Sequence, residues 1–391
     1  MKFSAFRRAD GSVGIRNKIL IVAVDECCDG IARQIAKESE HTVVLTNWLT
    51  CMLGGNEETY RQLIAVSENP NVAGVIVIAM GCGSIEPEQI QAAIAHTKKP
   101  CKTYTSDKLG GTRATIEAGK QSVREIESYI ATLEKTECMI SDLVIGIKCG
   151  GSDTLSGITA NPCVGKAIDR LIDLGATCIG GELFELLGCE EILAGRAVSQ
   201  AVADKIVTLI ENEERRWSVP GVDIETMSIG NCVGGLTTIE EKSLGALYKM
   251  GSKPIQDVLQ INKDFIDKPT EKGFYLSEAT MLCGGAGVNY ASHGAHIILW
   301  TTAAAGFNNA VVPVIRVSGN KKLLNADIDV DASGMIDGSS GVEAISEIII
   351  EKVLAVAAGE LTSIEGLGDS TMTLYQKEQR VETLLNLQCV K

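Results

Sequence analysis

Histidine is scarce in this chain of 391 residues: there are four, His41, His96, His293 and His296. None stands in an identifiable relation to a cysteine, which weakens a cysteine-nucleophile mechanism needing a neighbouring base. No uninterrupted apolar run reaches the roughly 20 residues of a membrane span. The start, Met-Lys-Phe-Ser-Ala-Phe-Arg-Arg, has no apolar core of the kind a secretory signal carries. No basic cluster offsets the net charge of −14, so neither nucleic acid nor an anionic membrane is expected as partner. The paired Cys-x-x-Cys spacings of structural zinc are missing, as are Gly-x-Gly-x-x-Gly and the P-loop. There is no tandem repeat and no low-complexity linker. A cytoplasmic protein is the expectation.

The composition is that of a folded protein, with 45% hydrophobic residues, in a chain long enough for more than one domain. Strand and helix signals alternate throughout, which predicts an α/β fold: doubly wound, mostly parallel sheets in two Rossmann-like domains, 1–138 and 139–391. Continuous apolar runs such as Ile19–Val24, Gly74–Ala79 and Ile297–Thr301 read as buried parallel strands. Residues 7–18 read as a turn or hairpin, and Glu134–Cys138 as a polar link. The tail beyond Glu360 is ambiguous. The centre of the chain is Asp142-Leu-Val-Ile-Gly-Ile-Lys-Cys149-Gly-Gly-Ser-Asp153. A strand ends there in a cysteine and a glycine-rich loop, and a helix follows, with Asn161 expected as its N-cap and Pro162 in its first turn.

Thirteen cysteines are many, and in a reducing compartment disulfides are a poor explanation. Three expected strand ends in the first half lie within a few residues of Cys27, Cys51 and Cys82, and the central strand adds Cys149. In a doubly wound sheet parallel strand ends share one rim, so scattered thiolates can converge on a soft metal or an iron–sulfur cluster. The alternative is that these are small buried hydrophobes. The loops Cys149-Gly150-Gly151-Ser152 and Gly234-Gly235-Leu-Thr237-Thr238 expose backbone N–H groups near helix starts, as anion nests do; tight strand–helix packing explains either one equally. His293 and His296 flank a strand, and one could be a base or a ligand. Glu182 and Glu185 follow a strand end and are better placed for acid–base work than Glu211–Glu214, a solvated face.

Several segments, taken together and in order, resemble the altronate/galactarate dehydratase family. They are Arg8-Ala-Asp-Gly-Ser-Val-Gly-Ile-Arg16-Asn17, Cys27, Thr46-Asn47 with Cys51, Asn69-Pro-Asn-Val-Ala-Gly74, Gly81-Cys82, Cys149-Gly-Gly-Ser-Asp153, Ser156-Gly-Ile-Thr-Ala-Asn161-Pro, Gly230-Asn231, Gly234-Gly235-Leu-Thr-Thr-Ile-Glu-Glu-Lys242-Ser-Leu-Gly245, and Pro313-Val-Ile-Arg-Val-Ser-Gly-Asn320. The resemblance implies an iron-dependent lyase that eliminates water from a hydroxylated carboxylic acid to give a 2-oxo acid. It points to Cys27, Cys51, Cys82 and Cys149 as ligands of a 4Fe-4S cluster or of mononuclear Fe(II). It also implies a separate small subunit of SAF type, and we expect a homo-oligomer.

On this basis Arg16, Gly150, Gly151, Ser152, Thr237, Thr238 and Lys242 are the expected substrate-anion contacts, and Glu185, Asp153 and His293 the candidate bases. The chain departs from the sugar-acid members in three places. Leu49-Thr50 stands where they carry His-Gly, Ala303-Ala304-Ala305 where they carry Gly-Arg-Gly, and Gly181-Glu182-Leu-Phe-Glu185 where an acidic Thr-Glu segment is usual. Losing an arginine and a histidine removes donors that a polyhydroxylated dianion would use, so a smaller or less polar substrate is expected. Two alternatives stand beside dehydration: release of sulfite from a sulfonated 2-hydroxy acid, and a non-catalytic iron-binding subunit.

Overall fold

The structure, a computed structural model, describes residues 1–48, 57–218, 229–303, 306–368 and 370–376. Cys51, Leu49, Thr50, Ala304 and Ala305 lie outside the described residues. The strands run in chain order as β1 (Lys2–Arg7), β2 (Val13–Gly14), β3 (Lys18–Ala23), β4 (Thr42–Thr46), β5 (Val72–Ala79), β6 (Cys101–Thr105), β7 (Lys135–Met139), β8 (Val144–Cys149), β9 (Thr177–Gly180), β10 (Ile255–Leu259), β11 (Gly273–Ser277), β12 (Ile297–Thr301), β13 (Val314–Ser318) and β14 (Val330–Asp331). They form two parallel sheets, β4-β3-β5-β6 and β10-β11-β9-β8-β12-β13-β14, and a small antiparallel one, β2-β1-β7. The expected α/β class with mostly parallel sheets is what the chain adopts.

The apolar runs explain the layering. β5 and β12 are buried at every position, as strands covered on both faces must be. A fully buried Val or Ile contributes about 1.5–3 kcal/mol relative to exposure, so such runs fix the strands in the interior. One face of the smaller sheet, with Ile19, Ile21 and Ile76, packs under the helices Asp29–Ala36 and Thr112–Ile130. Its other face, with Leu20, Val22 and Val75, shares a core with Ile298, Trp300 and Val314 of the larger sheet. The helices Glu57–Glu68 and Cys283–Ser292 contribute Leu63, Val288 and Tyr290 to that shared core. Beyond the larger sheet, Ala160–Asp173 and Val342–Ala358 close the far face.

Segments early and late in the described residues are stitched across this arrangement. β1 pairs with β7, so Glu134–Cys138 is largely strand rather than link, and Phe3 and Ala5 sit in the core of the larger sheet. β7 was hard to see because four of its five residues face solvent. Near the other end, Gln62 Nε2 donates to the Tyr375 carbonyl at 2.7 Å, and Gln376 Nε2 to Thr59 Oγ1 at 2.6 Å. A Cβ at Gly284 would lie 2.7 Å from Thr373 Oγ1, so the helix Cys283–Ser292 needs glycine where this segment crosses it.

Candidate active site

In each parallel sheet the strand order reverses at one point, and the loops beyond the strand ends part there to leave a crevice. In the larger sheet the reversal falls between β8 and β12, because β8 leads to β9 on one side while β12 lies on the other. The loop Cys149–Asp153 emerges at this place. Gly150 N–H donates to the Thr301 carbonyl at 2.7 Å, and Ala303 N–H to the Gly151 carbonyl at 2.7 Å. A Cβ at Gly150 would lie 2.3 Å from Trp300 Nε1 and 2.4 Å from Thr302 Oγ1, so only glycine lets the two loops approach this closely.

Around this loop lies a buried cluster of charges. Lys148, next to Cys149, donates to Glu182 Oε1 at 2.5 Å and to the carbonyls of Cys149 and Met281. The Cys149 N–H binds Glu182 Oε2 at 2.6 Å. Lys249 bridges Glu182 and Glu185 at 3.1 Å each, and Lys242 reaches Glu185 Oε1 at 3.0 Å and Ser152 Oγ at 3.0 Å. Ser152 Oγ is also 2.8 Å from Cys149 Sγ. Lys148, Lys249 and Glu182 are at most 1% exposed. Three ammonium groups thus face two carboxylates in a dry setting, leaving one positive charge in excess.

The electrostatics follow from that crowding. Burial works against every ammonium here, but the carboxylates of Glu182 and Glu185 override it, and all three lysines hold their protons more tightly than usual. Burial also opposes ionisation of Glu185, yet Lys242, Lys249 and Lys148 keep its carboxyl well below the ordinary range. The Cys149 thiol is pushed up by burial and by Glu185, against the pull of Lys249 and Lys242. Glu182 has φ 66° and ψ 59°, a left-handed conformation that costs a non-glycine residue about 1–2 kcal/mol. Such strain gathers at functional sites, and here it aims one carboxylate at Lys148, Lys249 and the Cys149 amide together.

Beside the cluster opens a cavity of about 170 Å³ whose lining includes Ser152, Asp153, Asn161 and Lys242. Asp153 caps the short helix Thr154–Ile158, accepting from Ser156 N–H at 2.7 Å, while its Oδ2 accepts from Asn320 Nδ2 at 2.6 Å. The next helix starts at Ala160, so Asn161 is inside it and not at its N-cap; Thr159 precedes it with a non-helical φ and ψ.

The structure gathers Cys149, Gly150, Gly151, Ser152, Asp153, Glu185 and Lys242 in this region. Other expected contacts are engaged elsewhere. Arg16 forms a two-pronged ion pair with Glu365, at 2.7 and 2.8 Å, and donates to the Val356 and Glu360 carbonyls. Thr237 binds Glu241 through its N–H and hydroxyl, and Thr238 caps the helix Ile239–Tyr248. His293 has Ser277 Oγ at 2.8 Å on Nε2 and the Asp267 carbonyl at 2.6 Å on Nδ1, both consistent with a structural histidine. Lys148, Lys249 and Asn320 are site residues to which the sequence alone assigns no role. Lys148 carried a usable signal, a lone charge inside a buried strand; Lys249, at a helix end, carried none.

The Cys28 thiol is pushed up by burial, by Asp25, and by Cys27 and Cys82, which both lie close to it. Cys27 and Cys82 are exposed at the reversal point of the smaller sheet, between β3 and β5. There Asp25 Oδ2 accepts from Met80 N–H at 2.7 Å. Cys149 is buried among the lysines and glutamates of the larger sheet. Among the described residues no three His, Cys, Asp or Glu side chains form a group able to hold a metal ion. Cys51, the fourth of the expected ligands, lies outside the described residues.

Comparison with known proteins fits this architecture. Residues 5–131 match the family described as D-galactarate dehydratase/Altronate hydrolase, second domain, and residues 140–380 the one described as D-galactarate/Altronate dehydratase, C-terminal. The chain is 32% identical to the altronate dehydratase of Bacillus subtilis, over 93% of this chain and 75% of that protein. It is 28% identical to the galactarate dehydratase (L-threo-forming) of Escherichia coli, over 92% and 73%. It is also 31% identical to the (2R)-sulfolactate sulfo-lyase subunit beta of Chromohalobacter salexigens, over 95% of this chain and 96% of that subunit. With two family models matching in order over residues 5–131 and 140–380 and a relative 32% identical over most of both chains, the chain belongs to the D-galactarate/altronate dehydratase family.

Proposed function

We propose that the chain is a carbon–oxygen lyase that eliminates water from a hydroxylated carboxylic acid, giving a 2-oxo acid, at the loop Cys149–Asp153. The observation that carries this reading is the buried cluster of three lysines and two glutamates, which presents Lys242 and Ser152 to a cavity. In such an elimination a base takes the proton α to the carboxylate, and the β C–O bond breaks. The β hydroxyl leaves as water with the proton that the base took, and the enol left behind, which keeps the hydroxyl on its α carbon, becomes the 2-oxo acid. The difficulty is the dianion that forms when the α proton departs, and fixed cations in a dry site are the strongest remedy a protein has. Lys242 keeps its proton and binds the substrate carboxylate; Glu185, itself held by Lys249, holds Lys242 in place. Asp153, which lines the cavity together with Glu241 but is the more buried of the two, takes the α proton.

Iron is a separate part of the proposal, supported by the family rather than by the described side chains. Anaerobic iron and sulfide analysis of wild type against Cys82→Ala and Cys149→Ala tests it; unchanged metal content in both variants would remove these cysteines from any iron site. A separate small SAF-type subunit is proposed because one relative is itself named a subunit beta. We also propose a homo-oligomer, and a cytoplasmic location in keeping with eleven free cysteines among the described residues.

A second reading, loss of sulfite from a sulfonated 2-hydroxy acid, is favoured by the extent of the match to the sulfo-lyase subunit. Product analysis on a panel of hydroxy acids, with the small subunit added, decides between them: a 2-oxo acid without sulfite supports dehydration, and sulfite release supports the second. Turnover in Lys242→Met equal to wild type would sink both.

A further inference from the structure

The helix Ile239–Tyr248 has two apolar faces. Inward, Ile239 and Ala246 are buried beside Lys242, which meets Glu185 and Ser152. Outward, Leu244 and Tyr248 are 48% and 64% exposed. A helix that is apolar on both sides is built to be covered on both. Single exposed apolar side chains need no explanation, but these two have company. The helix abuts Thr154–Ile158 so closely that a Cβ on Gly245 would lie 3.7 Å from the Gly157 Cα. That approach brings Ile158, itself exposed, beside them.

From Tyr248 the surface falls into a groove of about 800 Å³ against the helix Ala160–Asp173, with Ile192, Leu247 and Val342 on its walls. Tyr248 lines both this groove and the cavity beside Ser152, so one apolar strip runs from the mouth of the candidate site into the groove. The charges along the groove are engaged. Lys166 stands 3.6 Å from Glu343, Asp169 accepts from the Ser252 N–H and hydroxyl, and Arg196 donates to the Met250 and Lys253 carbonyls. Two cations and two carboxylates leave this face neutral on a chain whose net charge is −14. An apolar centre with engaged polar groups around it is the anatomy of a protein interface. On an acidic chain, a neutral face is also where two copies approach at the least electrostatic cost. Under twofold symmetry the protruding Tyr248 of each copy meets the groove of the other, so one patch supplies both halves of the contact. A stable interface takes about 20–30 residues a side, and the linings of the groove and the cavity together supply about that many.

We propose that the helix Ile239–Tyr248, with Ile158 and the groove beside it, is a twofold interface with a second copy of this chain, and that the second copy closes the open side of the cavity beside Ser152. This rests on the homo-oligomer proposed above and names the face by which it forms. The second copy then belongs to the mouth of the candidate site. By covering Ile158 and Tyr248 it keeps water from the cavity that Lys242 lines, and a drier cavity strengthens the pull of that ammonium on an anion.

The test is sedimentation equilibrium of the full-length chain at micromolar concentration. Wild type is expected to have at least twice the mass of one chain. Leu244→Glu and Tyr248→Glu, each at an exposed position, are expected to raise the dissociation constant about 10³-fold, the effect of an interface hot spot counted once in each copy. Their melting by circular dichroism should match that of the wild-type monomer. Leu109→Glu, at an exposed apolar position next to the smaller sheet, should leave the association intact. A monomeric wild type overturns the homo-oligomer and this interface together. An associated wild type whose Leu244→Glu and Tyr248→Glu variants associate equally well leaves the homo-oligomer standing and refutes this face. Hydrogen exchange of the wild type needs no variant to fold: amides in 154–166 and 239–252 should exchange more slowly in the associated protein than after dilution. Concentration-dependent protection confined to other segments refutes this face as well.

Discussion

Glu182 and Lys249 offer a way to separate charge balance from contact number in the buried cluster. Replacing Glu182 by glutamine leaves the three lysines facing Glu185 alone, with two positive charges in excess, and removes the partner that Lys148, Lys249 and the Cys149 N–H share. Breaking a buried pair from one side costs about 3–5 kcal/mol, a large part of the 5–15 kcal/mol typical of a domain. For a unit of this size that corresponds to a melting temperature lower by roughly 10 °C. Lys249→Met removes two ion pairs, yet it leaves two lysines facing two glutamates with no excess charge. Its cost is expected to be smaller, about 1–3 kcal/mol. The double variant returns to one excess charge and should cost less than the two singles added together. Urea unfolding followed by circular dichroism measures all three. A Lys249→Met variant at least as destabilised as Glu182→Gln would refute the argument from charge, and strict additivity would refute the coupling.

Three further outcomes are expected. His296 is buried, and burial lowers its pKa to about 4 against the opposing bonds to Val13 and Val144. The unfolded chain takes up that proton near pH 6.5, so stability falls as pH drops from about 6.5 to 4, by about 3 kcal/mol in all; urea midpoints at pH 7 and 5 should show this slope and His296→Gln should lack it. Arg16→Ala leaves the Glu365 carboxylate buried and unpaired and should cost about 3–5 kcal/mol, with faster proteolysis after Val356; a raised KM without loss of stability would instead make Arg16 an anion ligand. Asp153→Asn keeps a good helix cap, so stability should stay within about 1 kcal/mol while turnover falls by about 10²–10⁴; normal turnover would remove Asp153 as the base.

The parallel strands were legible because a strand covered on both faces must be apolar throughout, and runs such as Val72–Ala79 admit no other reading. The helix Cys283–Ser292 was not legible. Its residues after Cys283 are buried all round, so it has no polar face to set a period, and its glycines argue locally against a helix. At the site, Cys149, Ser152 and Lys242 were legible as residues flanking glycine-rich loops. Their joining through Glu185 and Lys249 was not, because Lys249 enters from a helix end 67 residues beyond Glu182. Asn161 was misread for a local reason: Asn before Pro is a common cap, but here the helix begins earlier and frees the amide for Gly245.

The clasp at the end of the chain bears on how the protein is made. Arg16 and Glu365 are 349 residues apart, and Gln62 and Tyr375 are 313 apart, so the early residues lack these fastenings until those around 365–375 have been made. Contacts this distant in sequence form late and slowly, and the waiting segment exposes the apolar face that later joins the larger sheet. Until those contacts form, the exposed apolar surface makes the half-finished molecule prone to aggregate.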